Sequence, residues 1–178
     1  MKPGVRVTGG SFRGRGLTVP PGARPTEGRV REALFSIWGD RLDRARVLDL
    51  FSGSGVVGLE ALSRGALAVL FVDDSLRAVK TLQENAAQLG EKIETRKLSL
   101  PAGLARLSGS YDLVFADPPY VFGDYETLLA GIVRLLAPDG EVVVEHSTHK
   151  ELPIEIGSLV RTDVRRYGDS SLSFYRVG

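Results

Sequence analysis

Asp49-Leu50-Phe51-Ser52-Gly53-Ser54-Gly55-Val56-Val57-Gly58 follows an apolar run that begins at Val47 and leads into a helical pattern over residues 56–64. Glycines 53, 55 and 58 spell GxGxxG at a strand-to-helix junction, where glycine permits a tight turn and lets backbone N–H groups approach a ligand. An open α/β sheet binds its ligand at such a junction. Asp73 stands about 20 residues beyond Gly53, at the end of the next apolar run, the spacing of a carboxylate that hydrogen-bonds a ribose diol. Loop and carboxylate together point to an adenosine-like ligand.

Outward from the loop, short apolar runs at 47–51, 67–72, 111–116 and 141–146 alternate with helical stretches at 56–64, 76–89, 101–107 and 125–136. Runs apolar on both faces, separated by helices, predict βαβ units and an α/β fold with a parallel sheet covered on both sides. A weaker run at 92–98 adds a strand. Residues 159–164 and 171–177, about a Tyr167-Gly168-Asp169-Ser170 turn, predict two antiparallel strands that finish the sheet. Ahead of the sheet, 5–7 and 17–19 suggest a small hairpin. Val30, Ala33, Leu34, Ile37 and Trp38 recur at helical spacing behind Thr26, which is placed to start that helix, until Gly39-Asp40 ends it. Trp38 is expected in the core. The chain thus divides into a basic arm, 1–40, and a main domain, 41–178.

The 178 residues, 43% hydrophobic and 25% charged, are enough for one domain with a core. Cysteine is absent, which excludes disulfides, thiolate zinc sites and Cys nucleophiles. His146 and His149 lack a third ligand candidate, so no metal is expected; His146, beside Glu145, reads as a cleft-rim residue, since the chemistry below needs no strong base. No apolar run approaches the ~18 residues of a membrane span, and Gly and Arg stand where a signal peptide would be apolar, so a cytoplasmic protein is expected.

Two ligand classes suit the loop, a nicotinamide or flavin dinucleotide and S-adenosylmethionine. Asp49 separates them: a carboxylate beside the loop repels a pyrophosphate at short range but suits a sulfonium and an ammonium. Asp117-Pro118-Pro119-Tyr120 ends the fourth strand. Two prolines fix φ and remove donors, so the turn presents acceptors rigidly into the cleft. Methyl transfer to an exocyclic amino group wants that arrangement: the Asp117 carboxylate and the Pro118 carbonyl accept the two N–H hydrogens and turn the delocalised lone pair toward the methyl donor. Tyr120 can stack on a planar base that is unstacked or single-stranded.

With these residues in place the chain resembles the RsmD-type family of bacterial small-subunit (16S) rRNA guanine-N2 methyltransferases. The likeness runs from Gly9-Gly10-Ser11-Phe12-Arg13-Gly14-Arg15 and Arg24-Pro25-Thr26 through Arg29-Val30-Arg31-Glu32-Ala33-Leu34-Phe35 and Gly58-Leu59-Glu60-Ala61-Leu62-Ser63-Arg64-Gly65-Ala66. It closes on DPPY, Tyr167-Gly168-Asp169 and Phe174-Tyr175-Arg176. The resemblance implies a class I (Rossmann-like) sheet of about seven strands with the last antiparallel, S-adenosylmethionine as donor, S-adenosylhomocysteine as product, and a guanine of 16S rRNA as acceptor. That rRNA would be met in a partly or fully assembled small subunit, by a monomer. Asp49, Phe51, Ser52, Gly53, Gly55, Asp73 and Asp74 take cofactor roles, and Thr26 with Arg24 closes over the methionine end. Ser99 stands where such enzymes often carry Asp or Asn near the adenine.

The net charge of +1 hides an asymmetry: residues 1–31 hold Lys2 and six arginines against Glu27 alone, a balance of +6, leaving −5 elsewhere. Arg6, Arg13, Arg15, Arg24, Arg29 and Arg31 are therefore candidates for RNA phosphates. A DNA adenine-N6 or cytosine-N4 methyltransferase is the alternative enzyme, though little chain follows Tyr120 for reading bases. A glutamine-directed protein methyltransferase would more often carry Asn at 117. A non-catalytic RNA-binding module with a vestigial cofactor fold would be expected to lose part of DPPY, which is intact.

Overall fold

The computed structural model describes residues 4–178; Lys2 of the arm lies outside them. Strands β1 (Val5–Arg6) and β2 (Gly16–Leu17) form the expected hairpin, followed by α1 (Gly28–Trp38). The sheet is then laid down as β3 (Arg46–Leu50), α2 (Val56–Ser63), β4 (Ala68–Asp73), α3 (Leu76–Gln88), β5 (Glu94–Lys97), β6 (Tyr111–Ala116), α4 (Tyr125–Ile132) and β7 (Leu136–Ser147). Three strands close it: β8 (Glu155–Ile156), β9 (Leu159–Tyr167) and β10 (Ser170–Val177).

The order is β5-β4-β3-β6-β7-β10-β9-β8. Strands β5, β4, β3, β6 and β7 are parallel, and β10 runs antiparallel to both β7 and β9. The sheet has eight strands rather than about seven because the two-residue β8 pairs on the outside of β9. The stretch 101–107 forms a 3-10 turn, Ala102–Arg106, and α4 gives way to a second one, Val133–Leu135.

Alternate residues of each strand supply two cores, as the two-residue period of a strand dictates. Val47, Phe71, Phe115 and Val143 join α1, α2 and α3 on one face; Leu48, Val72, Val114 and Val144 join α4 on the other. Val7, Leu17, Leu34 and Trp38 belong to the first of these, so the arm is packed into the main core. Its hairpin covers the outer side of α2, seven of whose eight residues are buried in consequence. Phe35 and Trp38 meet edge to face at 5.6 Å beneath it. No helix among the described residues is long and apolar enough to cross a membrane.

Thr26 does not cap α1. Glu27 holds the N-cap position without a side-chain bond, and the Thr26 hydroxyl points instead across the sheet edge to Glu145. Thr26 stands one residue before the N-cap, and its hydroxyl donates its proton to a carboxylate outside the helix.

Candidate active site

Strand order reverses between β3 and β6, the switch point at which a parallel sheet opens a crevice beyond its carboxyl ends. The glycine loop leaves β3 there. Phe51 sits at φ 58°, a conformation few non-glycine residues adopt, which turns the chain sharply out of the strand. Gly55 caps α2 at φ 84°, and a Cβ there would lie 2.1 Å from Leu82 Cδ1. A Cβ on Gly58 would lie 2.3 Å from the Phe71 ring. Gly58 N–H donates to Asp49 Oδ2 at 3.0 Å, so the third glycine of the motif packs the helix onto the sheet and pins a carboxylate. A Cβ on Gly53 would meet nothing within 4 Å, so its face of the loop is open.

Asp73, at the end of β4, accepts from Gly53 N–H at 2.8 Å and Ser75 N–H at 3.0 Å. It shapes the loop and stays half-exposed. Leu98 N–H donates to Asp73 O at 3.1 Å, which brings Ser99 to the same edge of the sheet; Ser99 and Asp74 are both exposed.

The second loop leaves β6. Asp117 N–H donates to Leu50 O at 3.3 Å, tying the ends of β6 and β3 together, and Phe122 N–H donates to Pro119 O at 2.9 Å to close the turn. The Pro118 carbonyl accepts no hydrogen bond among the described residues. Tyr120 is 75% exposed, with its hydroxyl 3.5 Å from Ser147 Oγ. Phe122 packs edge-on against Phe51 at 5.5 Å and Tyr125 at 5.2 Å, so an aromatic contact holds the two loops in register.

Between the loops and arm residues Ala23, Arg24, Pro25 and Thr26 lies a cavity of about 150 Å³, lined also by Asp49, Ser52, Gly53 and Asp117. Thr26 Oγ1 donates to Glu145 Oε1 at 2.8 Å and lies 3.4 Å from Asp117 Oδ2. Burial pushes Asp49 up to about 7; Gly58 N–H opposes the shift and Asp73 adds to it. Asp117 is raised well above the usual carboxylate range, first by burial and then by the charges of Glu145 and Asp49. Burial also raises Glu145, partly offset by hydrogen bonds from Thr26 and Ser170. Among the described residues no Lys or Arg nitrogen lies within 4.0 Å of these three carboxylates.

Buried carboxylates without counter-ions favour a cationic ligand and disfavour a phosphate. Ser52 Oγ is buried with no partner, a polar atom left for a ligand to satisfy. Acids, orphan hydroxyl and open Gly53 face fit a cofactor with a positively charged amino-acid end and a nucleoside end.

Glu145 was not among the residues expected to act. Its signal was present: a carboxylate at the C-terminal end of a buried strand of an α/β sheet stands where ligands bind. His146 faces the other side of β7, buried, with Nε2 2.7 Å from Ser173 Oγ and Nδ1 2.9 Å from Ser147 O.

The six arginines expected to meet RNA fall into three groups. Arg31 is a correction: it is 3% exposed and ion-paired to the wholly buried Glu60 at 3.1 Å, so it cannot reach a phosphate. Helical spacing placed it one residue from Val30, on the packed face. Arg6, Arg13 and Arg15 are exposed on the hairpin. The hairpin docks at Ser63, the end of α2, through Ser11 N–H to Ser63 O at 2.8 Å, and Arg15 Nη2 donates to Gln88 O, the end of α3, at 2.7 Å. Both are the helix ends away from the glycine loop, roughly 12 Å along an eight-residue helix. Arg24 and Arg29 are exposed on the segment that carries Thr26; Arg24 lines the cavity, and Arg29 Nη2 stands beside Gly168 in the β9–β10 turn.

A family profile described as Conserved hypothetical protein 95 matches residues 5–176. Ribosomal RNA small subunit methyltransferase D of Escherichia coli K12 is 36% identical over 159 residues, covering 86% of this chain and 77% of that protein. The solved structure of yhhF from Escherichia coli is similar at a TM-score of 0.86 and 32% identity, with 96% of each chain covered. A ribosomal protein L11 methylase from Lactobacillus delbrueckii subsp. bulgaricus shares the fold, with a TM-score of 0.72 at 22% identity over 93% of this chain and 87% of that one. Motifs, fold and relatives agree: the chain belongs to the Conserved hypothetical protein 95 family, the RsmD-type family of methyltransferases.

Proposed function

We propose that the protein transfers a methyl group from S-adenosylmethionine to the exocyclic N2 amino group of a guanine in 16S rRNA, leaving S-adenosylhomocysteine. The observation that carries this reading is the acceptor pair of Asp117 and Pro118, set beside two further carboxylates, buried Asp49 and half-buried Glu145, with no ion pair to any of the three acids.

Asp49 and the open face of Gly53, with Ser52 Oγ, would hold the amino-acid end of the cofactor, and Arg24 and Thr26 would cover it. Phe51, Asp73, Asp74 and Ser99 line the edge along which the nucleoside end extends, with Asp73 facing the ribose diol and Gly55 keeping the loop low. The cofactor supplies a methyl group made electrophilic by a sulfonium. The protein supplies orientation: Asp117 and the Pro118 carbonyl each accept one N–H of the substrate amino group, Pro119 fixes the turn, and Tyr120 offers a stacking face. The proton that leaves the nitrogen goes to Asp117 Oδ2. The Thr26 hydroxyl, between Asp117 and Glu145, can take that proton while passing its own to Glu145, restoring the acceptor.

A site on DNA fits less well, because only α4 and a 3-10 turn intervene between Tyr120 and β7. The substrate is taken as rRNA within a partly or fully assembled small subunit, bound by a monomer, with the basic arm of 1–40 contributing to the RNA face.

The test is label transfer from S-adenosylmethionine to 16S rRNA, free and in small subunits, from cells lacking the enzyme, followed by mass analysis of the nucleoside. N2-methylguanine is expected. N6-methyladenine, or no transfer to either form, overturns the reading.

A further inference from the structure

The alternation of β7 turns Glu145 toward Thr26 and His146 to the α4 face, where it floors a separate cleft of about 260 Å³. The cleft walls carry Lys150, Arg161 and Arg166 with the hydroxyls of Thr148 and Ser171; Glu151 is the one acid lining it, 3.8 Å from Arg161 with a side chain 82% exposed. The His146 ring is satisfied by Ser173 and Ser147 and lowered in pKa by burial, so it forms a neutral floor. Arg161 is anchored on Leu152 O at 2.9 Å, whereas Arg166 is exposed and has no hydrogen-bond or ion-pair partner among the described residues.

The position of the cleft gives these cations a use. Lys150 Nζ lies 3.4 Å from Phe122 O and 4.9 Å over the Tyr125 ring, against the turn that follows DPPY. Ser147, at the cleft's edge, meets the Tyr120 hydroxyl. On the other side, Thr148 Oγ1 donates to Gly168 O at 2.8 Å, and a Cβ on Gly168 would stand 3.4 Å from Arg29 Nη2. A path of donors therefore runs from Arg29 past the β9–β10 turn and the cleft to the exposed Tyr120. The hairpin arginines stand at the opposite end of the sheet.

We propose that this cleft is a phosphodiester-binding subsite, in which Lys150 and Arg166 hold backbone phosphates of the RNA next to the nucleotide presented to Tyr120 and Asp117. The inference rests on the reading of the substrate as RNA. Two cations over a neutral floor, with no buried acid among them, match a phosphodiester in charge, and the guanidinium and ammonium supply its hydrogen-bond donors.

The test compares wild type with K150A/R166A in binding unmodified 16S rRNA across a salt series, and in turnover at saturating RNA. The double variant should bind on the order of tenfold more weakly at low salt, and its log-affinity against log-salt slope should fall by about two. Its turnover number and its affinity for S-adenosylmethionine should be unchanged, and K150R/R166K should restore binding. Wild-type binding with an unaltered affinity and slope in the folded double variant overturns the subsite alone. A wild type that fails to bind 16S rRNA at all overturns the functional reading on which it rests.

Discussion

At the hairpin end of α2, Glu60 is wholly enclosed and accepts from Arg31 at 3.1 Å, Arg64 at 2.9 Å and Thr8 N–H at 3.0 Å, with the Thr8 hydroxyl as a further donor. At the other end of the same layer, Asp49 and Asp117 line one cavity and Glu145 reaches it through Thr26, and among the described residues none of the three has a Lys or Arg nitrogen within 4.0 Å. Burial costs a carboxylate its hydration in both places. The first region recovers that cost for Glu60 within the protein, joining the arm to α2 through Arg31, Arg64 and Thr8, with Arg31 Nε alone left buried and unpartnered. The second does not, and its carboxyls respond by holding their protons to higher pH. One region is finished structure; the other lacks the positive charge that a ligand brings.

Removing Glu60 should break the comparison most severely. E60A leaves Arg31 buried and unpaired and should cost roughly 3–5 kcal/mol of stability, a large part of a typical domain's total. Denaturant unfolding checks it, with a loss below 1 kcal/mol marking the network as dispensable. D117A should lower methyl transfer by on the order of 10²–10³-fold while S-adenosylmethionine still binds through Asp49 and the unfolding midpoint does not fall, because it removes an acceptor from the site and not from the core. Calorimetry beside single-turnover rates separates the two effects.

A pH series sharpens the same contrast. The Asp49 carboxyl titrates at about 7 in the folded chain against 3.8 ordinarily, so between those values the folded state binds more protons than the unfolded one. Stability contributed by this group therefore falls as pH rises from about 4 to 7. Asparagine at 49 can still accept from Gly58 N–H but does not titrate. D49N should match the wild type near pH 4, pull ahead of it as pH rises to about 7, and exceed it by roughly 2 kcal/mol at pH 8, once relaxation around the charge is allowed for. A gap that does not change with pH would contradict the shift. Smallest is E145Q, expected to slow turnover by about tenfold or less. It removes a negative charge from beside Asp117, so the acid limb of the rate profile should move to lower pH. An unmoved limb would mean that the two carboxyls do not sense each other.

Most of the first-order architecture was legible because it is written in contiguous residues. Runs such as Val69 to Val72 and Leu113 to Ala116 are apolar on both faces, and DPPY and the glycine loop each occupy a few adjacent positions. Contacts between distant positions were not legible. Nothing near Thr26 announces Glu145, 119 residues away, and Arg31 reads as a surface cation until Glu60, 29 residues on, is folded against it. Strand β8 is two residues without an apolar run of its own, held by pairing with β9 and by Ile156 packing on the core at the α4 face. The charge asymmetry of the arm was real, yet folding distributes it: one arginine into the core, three to the hairpin, two to the segment that carries Thr26.

The account turns on the claim that the mouth carboxylates are kept unpaired for a cationic cofactor. Titrating S-adenosylmethionine into the RNA-free protein at pH 7, in buffers of different ionisation enthalpy, measures the protons exchanged on binding. A cation arriving beside Asp49 and Asp117 lowers their raised pKa values, so binding should release protons, and D49N should release fewer. Binding without net release, or with uptake, would contradict the claim.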